Sequence, residues 1–313
     1  MAIDPPRDSD PSAPDVRAVR RHFARAAATY DSAAVLQKEI GGRMSERLDI
    51  VKLVPAAILD AGCGTGEGLA DLALRYPDAW RVALDIALPM LNAAKVKTRQ
   101  RKSMLSRLFA TFGGKTATGE PDFVCADLAA LPFAPNVFDL VWSNLTLQWV
   151  SDLPCALGEL SRVLKVGGLV MFTTFGPDTL RELRAAFAGI DRHAHVSRFA
   201  DMHDVGDMLV EAGFADPVMH MEMLTLTYGD AWAMIRDLKA IGATNAARAR
   251  PRALMGRRRW ERAVADLQAM SRDGRIPATF EVIYGHAWKA LPTRTAEGHP
   301  IVQFVPSERR NRG

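Results

Sequence analysis

The stretch ILDAGCGTGEG, residues 58–68, holds the residue types best suited to grip a small molecule. An apolar run ends at Asp60, and Gly62, Gly64 and Gly66 then free the backbone to turn tightly beside a ligand. Dinucleotide-binding loops also carry glycines after a strand, but in the order G-x-G-x-x-G. Counting from Gly62 puts Glu67 in the place of the third glycine, and counting from Gly64 puts Leu69 there. Asp60 and Glu67 also flank the loop with negative charge, which opposes a pyrophosphate. S-adenosylmethionine, which carries an ammonium and a sulfonium and no phosphate, matches better. Two further acids extend the pattern. Asp85, 19 positions after Gly66, closes the next apolar run, where a carboxylate can accept both ribose hydroxyl hydrogens; Ile86 follows it. Asp127 ends DFVCAD, placed to accept from an adenine amino group, and Leu128 offers a backbone N–H.

These side chains need strand ends to carry them. Short apolar runs bounded by turn residues predict seven strands, at residues 56–60, 80–85, 122–127, 138–145, 168–175, 217–228 and 279–288. Helical patterning covers 15–47 with a break near 30–32, then 69–75, 88–97, 155–165 (ending at Gly167–Gly168), 232–241 and 257–270. The alternation predicts an α/β fold with a doubly wound, Rossmann-like, seven-stranded sheet. Residues 229–278 fall between the last two strands and read as a helical cap. A cap there sits above the carboxyl ends of the strands, where open α/β sheets bind ligands. The expected domain is 15–292, with N-terminal helices at 15–47 and a core of 48–228 and 279–290; residues 1–14 and 293–313 read as flexible tails.

Composition fits a soluble enzyme, with 48% hydrophobic and 24% charged residues, and a formal charge of +4 is too small to identify a partner. Cys63, Cys125 and Cys155 share no disulfide or zinc spacing, and the histidines form no metal-ligand grouping with carboxylates, so no metal is expected. No apolar run approaches the roughly 20 residues of a membrane span, and the Pro- and Asp-rich start lacks an apolar secretory core. The expectation is a cytoplasmic chain with reduced cysteines.

LDAGCGTGEG, VALD and ADL resemble the motifs of class I methyltransferases. FDLVWSNLTLQWVSDL (138–153) is narrower. It resembles the malonyl-acyl carrier protein O-methyltransferases of biotin synthesis, the BioC family. FARAAATYDSAAVLQ (23–37), FTTFGPDTLREL (172–183), SRFAD (197–201), LKAIGATN (238–245) and IPATFEVIY (276–284) point the same way. The resemblance spans roughly residues 20–290, and it implies methylation of the free carboxylate of malonyl-acyl carrier protein, or of malonyl-CoA. The ester would disguise the malonyl group for elongation toward pimelate. Residues 97–119 and the C-terminal tail depart from the compact family pattern without touching a motif position. Several segments are also similar to methyltransferase-like assembly factors of respiratory complex I, whereas Ser197–Phe199 and Gly242–Asn245 are closer to the biotin enzymes.

Such a reaction asks little of proton transfer. A malonyl carboxylate is ionised at neutral pH, so in-line attack on a sulfonium methyl needs no general base. Alignment can be worth roughly 7–11 kcal/mol and carries the rate instead. Tyr30, in the N-terminal helical stretch, is expected near the transferred methyl. Asn144, after the fourth strand, is expected at the cofactor, with Gln148 and Trp149 bordering the acceptor. In this position, base-modifying N-methyltransferases carry Asn/Asp-Pro-Pro-aromatic, which Ser143–Thr146 lacks, so nucleic acid is not the expected substrate. Arg198, in the family's Arg-Phe pair, is the expected holder of the substrate carboxylate, because a planar guanidinium orients an anion better than an ammonium. Lys239 and Arg181 are its rivals. Residues 248–262 hold seven arginines against the single acid Glu261, and Arg257, Arg258 and Arg259 are the expected docking point for an acidic carrier protein.

Overall fold

Seven strands form one sheet, and helices cover both of its faces. The computed structural model describes residues 12–112, 119–191, 193, 195–250 and 255–291, with the backbone alone for 102–112. The expected tails at 1–11 and 293–313, and residues 113–118 of the insertion, lie outside the described residues. Helices α1 (Val16–Ala26), α2 (Tyr30–Ala33) and α3 (Val35–Arg47) lead into β1 (Ala57–Ala61). Alternation follows through α4 (Glu67–Arg75), β2 (Trp80–Asp85), α5 (Leu88–Phe112), β3 (Asp122–Cys125), β4 (Phe138–Asn144), α6 (Leu153–Val163) and β5 (Leu164–Phe175). The chain then runs through α7 (Arg181–Ala188), α8 (Met202–Glu211), β6 (Phe214–Tyr228), α9 (Ala231–Ala240), α10 (Arg257–Ala269) and β7 (Ile276–Lys289).

The strand order is β3-β2-β1-β4-β5-β7-β6. The first five strands are parallel, and β7 runs antiparallel to both β5 and β6. Chain order reverses between β1 and β4, so the loops after these strands diverge and leave a crevice at their carboxyl ends. Every residue of β1 is buried, as a central parallel strand requires. Alternate residues serve opposite faces. Leu140, Trp142 and Met171 pack with Leu36, Ile40 and Met44 of α3 on one side, while Val141, Val170 and Phe172 pack with α6 and α8 on the other.

Element bounds differ from the sequence reading where two signals compete. The helix expected to reach Gly167–Gly168 ends at Val163, and β5 begins at Leu164, which pairs with Phe138 before a register shift. β6 begins at Phe214, ahead of Pro217. As the edge strand it tolerates a missing N–H, and its register shifts between Ala215 and Val218. The helix expected over 88–97 continues to Phe112, into the insertion. Ala13–Asp15 do not behave as a tail end: the Asp15 N–H donates to Ala246 O at 2.7 Å, and the Arg248 N–H donates to Ala13 O at 2.9 Å.

Candidate active site

The glycine loop is built by its neighbours. The N–H groups of Gly62 and Cys63 both donate to Leu84 O, at 2.8 and 2.9 Å, which ties the loop to the end of β2. Gly62 has φ +85, and a Cβ there would stand 2.1 Å from Thr146 Oγ1, so a side chain is excluded on both counts. Gly64 is the opposite case: a Cβ would meet nothing closer than Tyr30 Cε1 at 4.0 Å, leaving open space above the loop. The Gly64 N–H donates to Asp85 Oδ2 at 2.9 Å and the Ala87 N–H to Asp85 Oδ1 at 2.8 Å, which locks that carboxylate in place.

Gly62, Asp85, Ile86, Asp127, Leu128 and Asn144 come together on the wall of one cavity of about 640 Å³, as their spacing predicts. Tyr30, Phe23 and Trp149 close it, and its described lining contains no Lys or Arg. Asp60 is set back: its side chain is buried beneath the loop, and its Oδ2 has no hydrogen-bond partner among the described residues. Gly64 and Gly66 shape the loop without lining the cavity. Burial, helped by the Asp85 charge, pushes Asp60 up to about 8, and burial pushes Asp85 up to about 6. Both shifts express the cost of negative charge here without a cation. An orphaned carboxylate oxygen, a second carboxylate on the wall and no cation for a phosphate fit a positively charged ligand such as S-adenosylmethionine. Glu67 turns away from the loop, paired to Lys97 at 2.6 Å and Arg101 at 3.1 Å.

Asn144 reaches the wall with its amide already committed, donating to Gln37 O at 2.9 Å and accepting from Thr173 Oγ1 at 2.7 Å. It braces α3 against the sheet. Tyr30 is held over the loop through its neighbour Asp31, which accepts from Thr65 Oγ1 at 2.6 Å and pairs with Lys97 at 3.0 Å. Burial, with Asp85 and Asp31 nearby, pushes the Tyr30 phenol well above its usual value, so it stays protonated. Side chains add to the backbone bonds that fasten the N-terminal segment to the cap. Arg250 pairs with Asp15 at 3.0 Å, Thr244 Oγ1 meets His22 Nδ1 at 2.7 Å, and Thr29 Oγ1 donates to Ala240 O at 2.8 Å.

A second pocket of about 710 Å³ adjoins the first and shares Tyr30, Leu145 and Trp149 with it. Gln148 lines it, with Nε2 donating to Leu145 O at 2.8 Å. Its described lining contains no Lys, Arg, Asp or Glu, and His195 is its one group able to carry a positive charge. His195 was passed over by the sequence reading. Its Nε2 lies 2.9 Å from Asp191 Oδ1, and its ring stacks on Phe187 with centroids 4.4 Å apart. Burial raises Asp191, but hydrogen bonds from His195 and the His193 N–H outweigh it and hold the carboxyl below its usual range. Asp191 is therefore ionised and His195 Nε2 donates, leaving Nδ1 without a partner among the described residues.

The structure does not place Arg198 in this pocket. Val196 and Ser197 line it, and Arg198, next along the irregular segment, is exposed and faces an open outer groove. Lys239 and Arg181 are corrected likewise: both are exposed and absent from the pocket wall, and on α9 it is Leu238 that faces inward. Arg257, Arg258 and Arg259 are exposed at the start of α10, and Trp260 beside them packs 6.0 Å from Phe187, centroid to centroid. No cluster of three or more His, Cys, Asp or Glu able to hold a metal occurs among the described residues. None of their helices is long and apolar enough to cross a membrane. Cys63 is buried, and burial raises its thiol well above the usual value, which makes it inert filling.

Known proteins share this arrangement. Residues 59–172 match the family model described as a methyltransferase domain. A malonyl-acyl-carrier-protein O-methyltransferase of Gallionella capsiferriformans is 52% identical over 92% of this chain and 96% of its own length. The chain belongs to that family. Another member, from Laribacter hongkongensis, is also 52% identical, over 93% of this chain and 96% of its own. The crystal structure of a putative methyltransferase from Bacillus halodurans, 19% identical, covers 79% of this chain and 99% of its own with a TM-score of 0.53, a likeness of fold. In this chain LDAGCGTGEG, VALD and ADL fall on or beside the cavity with the carboxylates, and SRF and GATN fall on or beside the second pocket.

Proposed function

We propose that this chain transfers the methyl group of S-adenosylmethionine to the free carboxylate of a malonyl group carried by acyl carrier protein. One observation carries the reading: a cavity suited to a cation meets a largely apolar acceptor pocket at Tyr30, Leu145 and Trp149. Gly62, Asp85, Ile86, Asp127 and Leu128 would hold the cofactor, which supplies an electrophilic methyl. Everything else is positioning. The acceptor carboxylate arrives ionised, so no side chain takes a proton from it. With both ring nitrogens protonated, His195, held by Asp191, would donate to this anion from Nδ1–H and take the role expected of Arg198. Tyr30, Gln148 and Trp149 shape the junction, and the apolar wall of Phe175, Leu180 and Phe280 excludes water from a weak nucleophile. Methylation makes the anion a neutral ester, which removes its attraction to His195 and favours release.

The exposed arginines at the start of α10 provide a surface for an acidic carrier protein, next to the groove that leads inward. A cytoplasmic setting suits such a substrate. Incubation with methyl-labelled S-adenosylmethionine tests the reading. Label should pass to malonyl-carrier protein and not to acetyl-carrier protein, which lacks the free carboxylate. Transfer to neither, or equally to both, would overturn it.

A further inference from the structure

Beside the second pocket lies an open groove of about 1090 Å³. The two share His195, Val196 and Phe199 in their linings, so the groove lies directly against the pocket. The groove's charge is one-sided. Arg184 and Arg198 both line it, with His193 beside them. The one acid of its described lining, Asp191, is already engaged by the His195 ring and the His193 N–H. Arg184 is half-buried and pre-set: its guanidinium donates to Pro177 O at 2.8 Å and Thr179 O at 3.2 Å, leaving other N–H groups free of these bonds. Arg198 is exposed and makes no hydrogen bond or ion pair among the described residues. One braced and one unengaged guanidinium on a common groove form an anion site whose donors suit the oxygens of a phosphate.

We propose that this groove binds the phosphodiester of the carrier protein's phosphopantetheine arm, with Arg184 and Arg198 as its donors, while the acyl end occupies the adjoining pocket. The assignment rests on the malonyl-carrier reading above. It gives Arg198 a binding role remote from the reacting carboxylate. The pocket wall then reads the acyl group and the groove reads the arm that delivers it, so affinity comes from a part of the substrate that does not react.

Arg198→Ala is the informative variant, because no described contact of the fold depends on that side chain. It would be compared with the wild type on malonyl-carrier protein, malonyl-CoA and malonyl-pantetheine, which lacks the phosphate. The expected result is a rise in KM of about 5- to 30-fold for both phosphate-bearing substrates, with malonyl-pantetheine unchanged. Direct binding gives a second readout, independent of turnover: wild-type protein should bind 4′-phosphopantetheine more tightly than pantetheine, and Arg198→Glu should erase the difference. Equal loss on all three substrates would place Arg198 at the acyl end and overturn the proposal. Loss on the carrier alone would make it a protein-docking residue, with the same consequence, as would no loss anywhere. If the wild type methylates none of the three, the functional reading itself has failed. The phosphopantetheine binding difference would still report on the groove.

Discussion

Replacing Asp85 by Asn should move stability and affinity in opposite directions. The carboxyl is 9% exposed, accepts from the N–H groups of Gly64 and Ala87, and is pushed by burial up to about 6. A raised carboxyl favours folding below its unfolded pKa, near 4, and that contribution is lost as pH rises through about 6. The displacement of roughly 2 units corresponds to about 3 kcal/mol forfeited by the cofactor-free protein at pH 7. Asn removes the charge but leaves one of the two N–H groups without its acceptor, which costs about 1 kcal/mol. The net expectation is a gain of roughly 2 kcal/mol at pH 7 that vanishes toward pH 4, visible as a rise in Tm of several degrees. Cofactor binding behaves conversely. Between pH 5 and 7 the ionised fraction of Asp85 grows about tenfold, so S-adenosylmethionine should bind the wild type about tenfold more tightly at pH 7 than at pH 5. In Asp85→Asn the affinity at pH 7 should fall about 10- to 150-fold and lose most of that pH dependence. Calorimetric titration at both pH values checks this, beside thermal melts without cofactor. Unchanged affinity, or a pH dependence that persists in the variant, would refute the role given to Asp85.

His195→Phe should keep cofactor affinity and lower kcat/KM for malonyl-carrier protein about 10- to 150-fold, the worth of a charge-assisted hydrogen bond; near-normal turnover would mean another group orients the carboxylate. Reversing Arg257, Arg258 and Arg259 to Glu should raise KM for malonyl-carrier protein and flatten its salt dependence while sparing malonyl-CoA. Equal effects on both substrates, or none, would remove the docking role.

The meeting of the glycine loop and the acids at one edge of the sheet was legible because its determinants are local. Three glycines at fixed spacing and acids closing consecutive apolar runs put Gly62, Asp85 and Asp127 at strand ends, and strand ends of a parallel sheet share one edge. The acceptor side depends on which way an irregular segment faces, and no periodicity encodes that. In HVSRF the sequence marks Arg198 as the anion binder by its chemistry, yet packing turns Val196 and Ser197 inward and Arg198 outward. Lys239 lost its place on the same ground, since α9 buries Leu238 instead. His195 lies four residues after Asp191, in a segment with no helical pattern to suggest that the two would meet. The fasteners of the cap were beyond reach for a different reason: Asp15 and Arg250 stand 235 positions apart, and only the folded chain makes them neighbours. At residue 164 the sequence carried both a helical period and a strand alternation, and pairing with β4 decided for the strand.

The methyl is expected on the acceptor's carboxylate oxygen. Tandem mass spectrometry of the acyl arm released after reaction with carbon-13 methyl-labelled S-adenosylmethionine locates it. The expected result is one added methyl, placed as an ester at the free end of the malonyl group and removed by mild base. A methyl on the malonyl carbon, on the arm or on the carrier protein's side chains would contradict it.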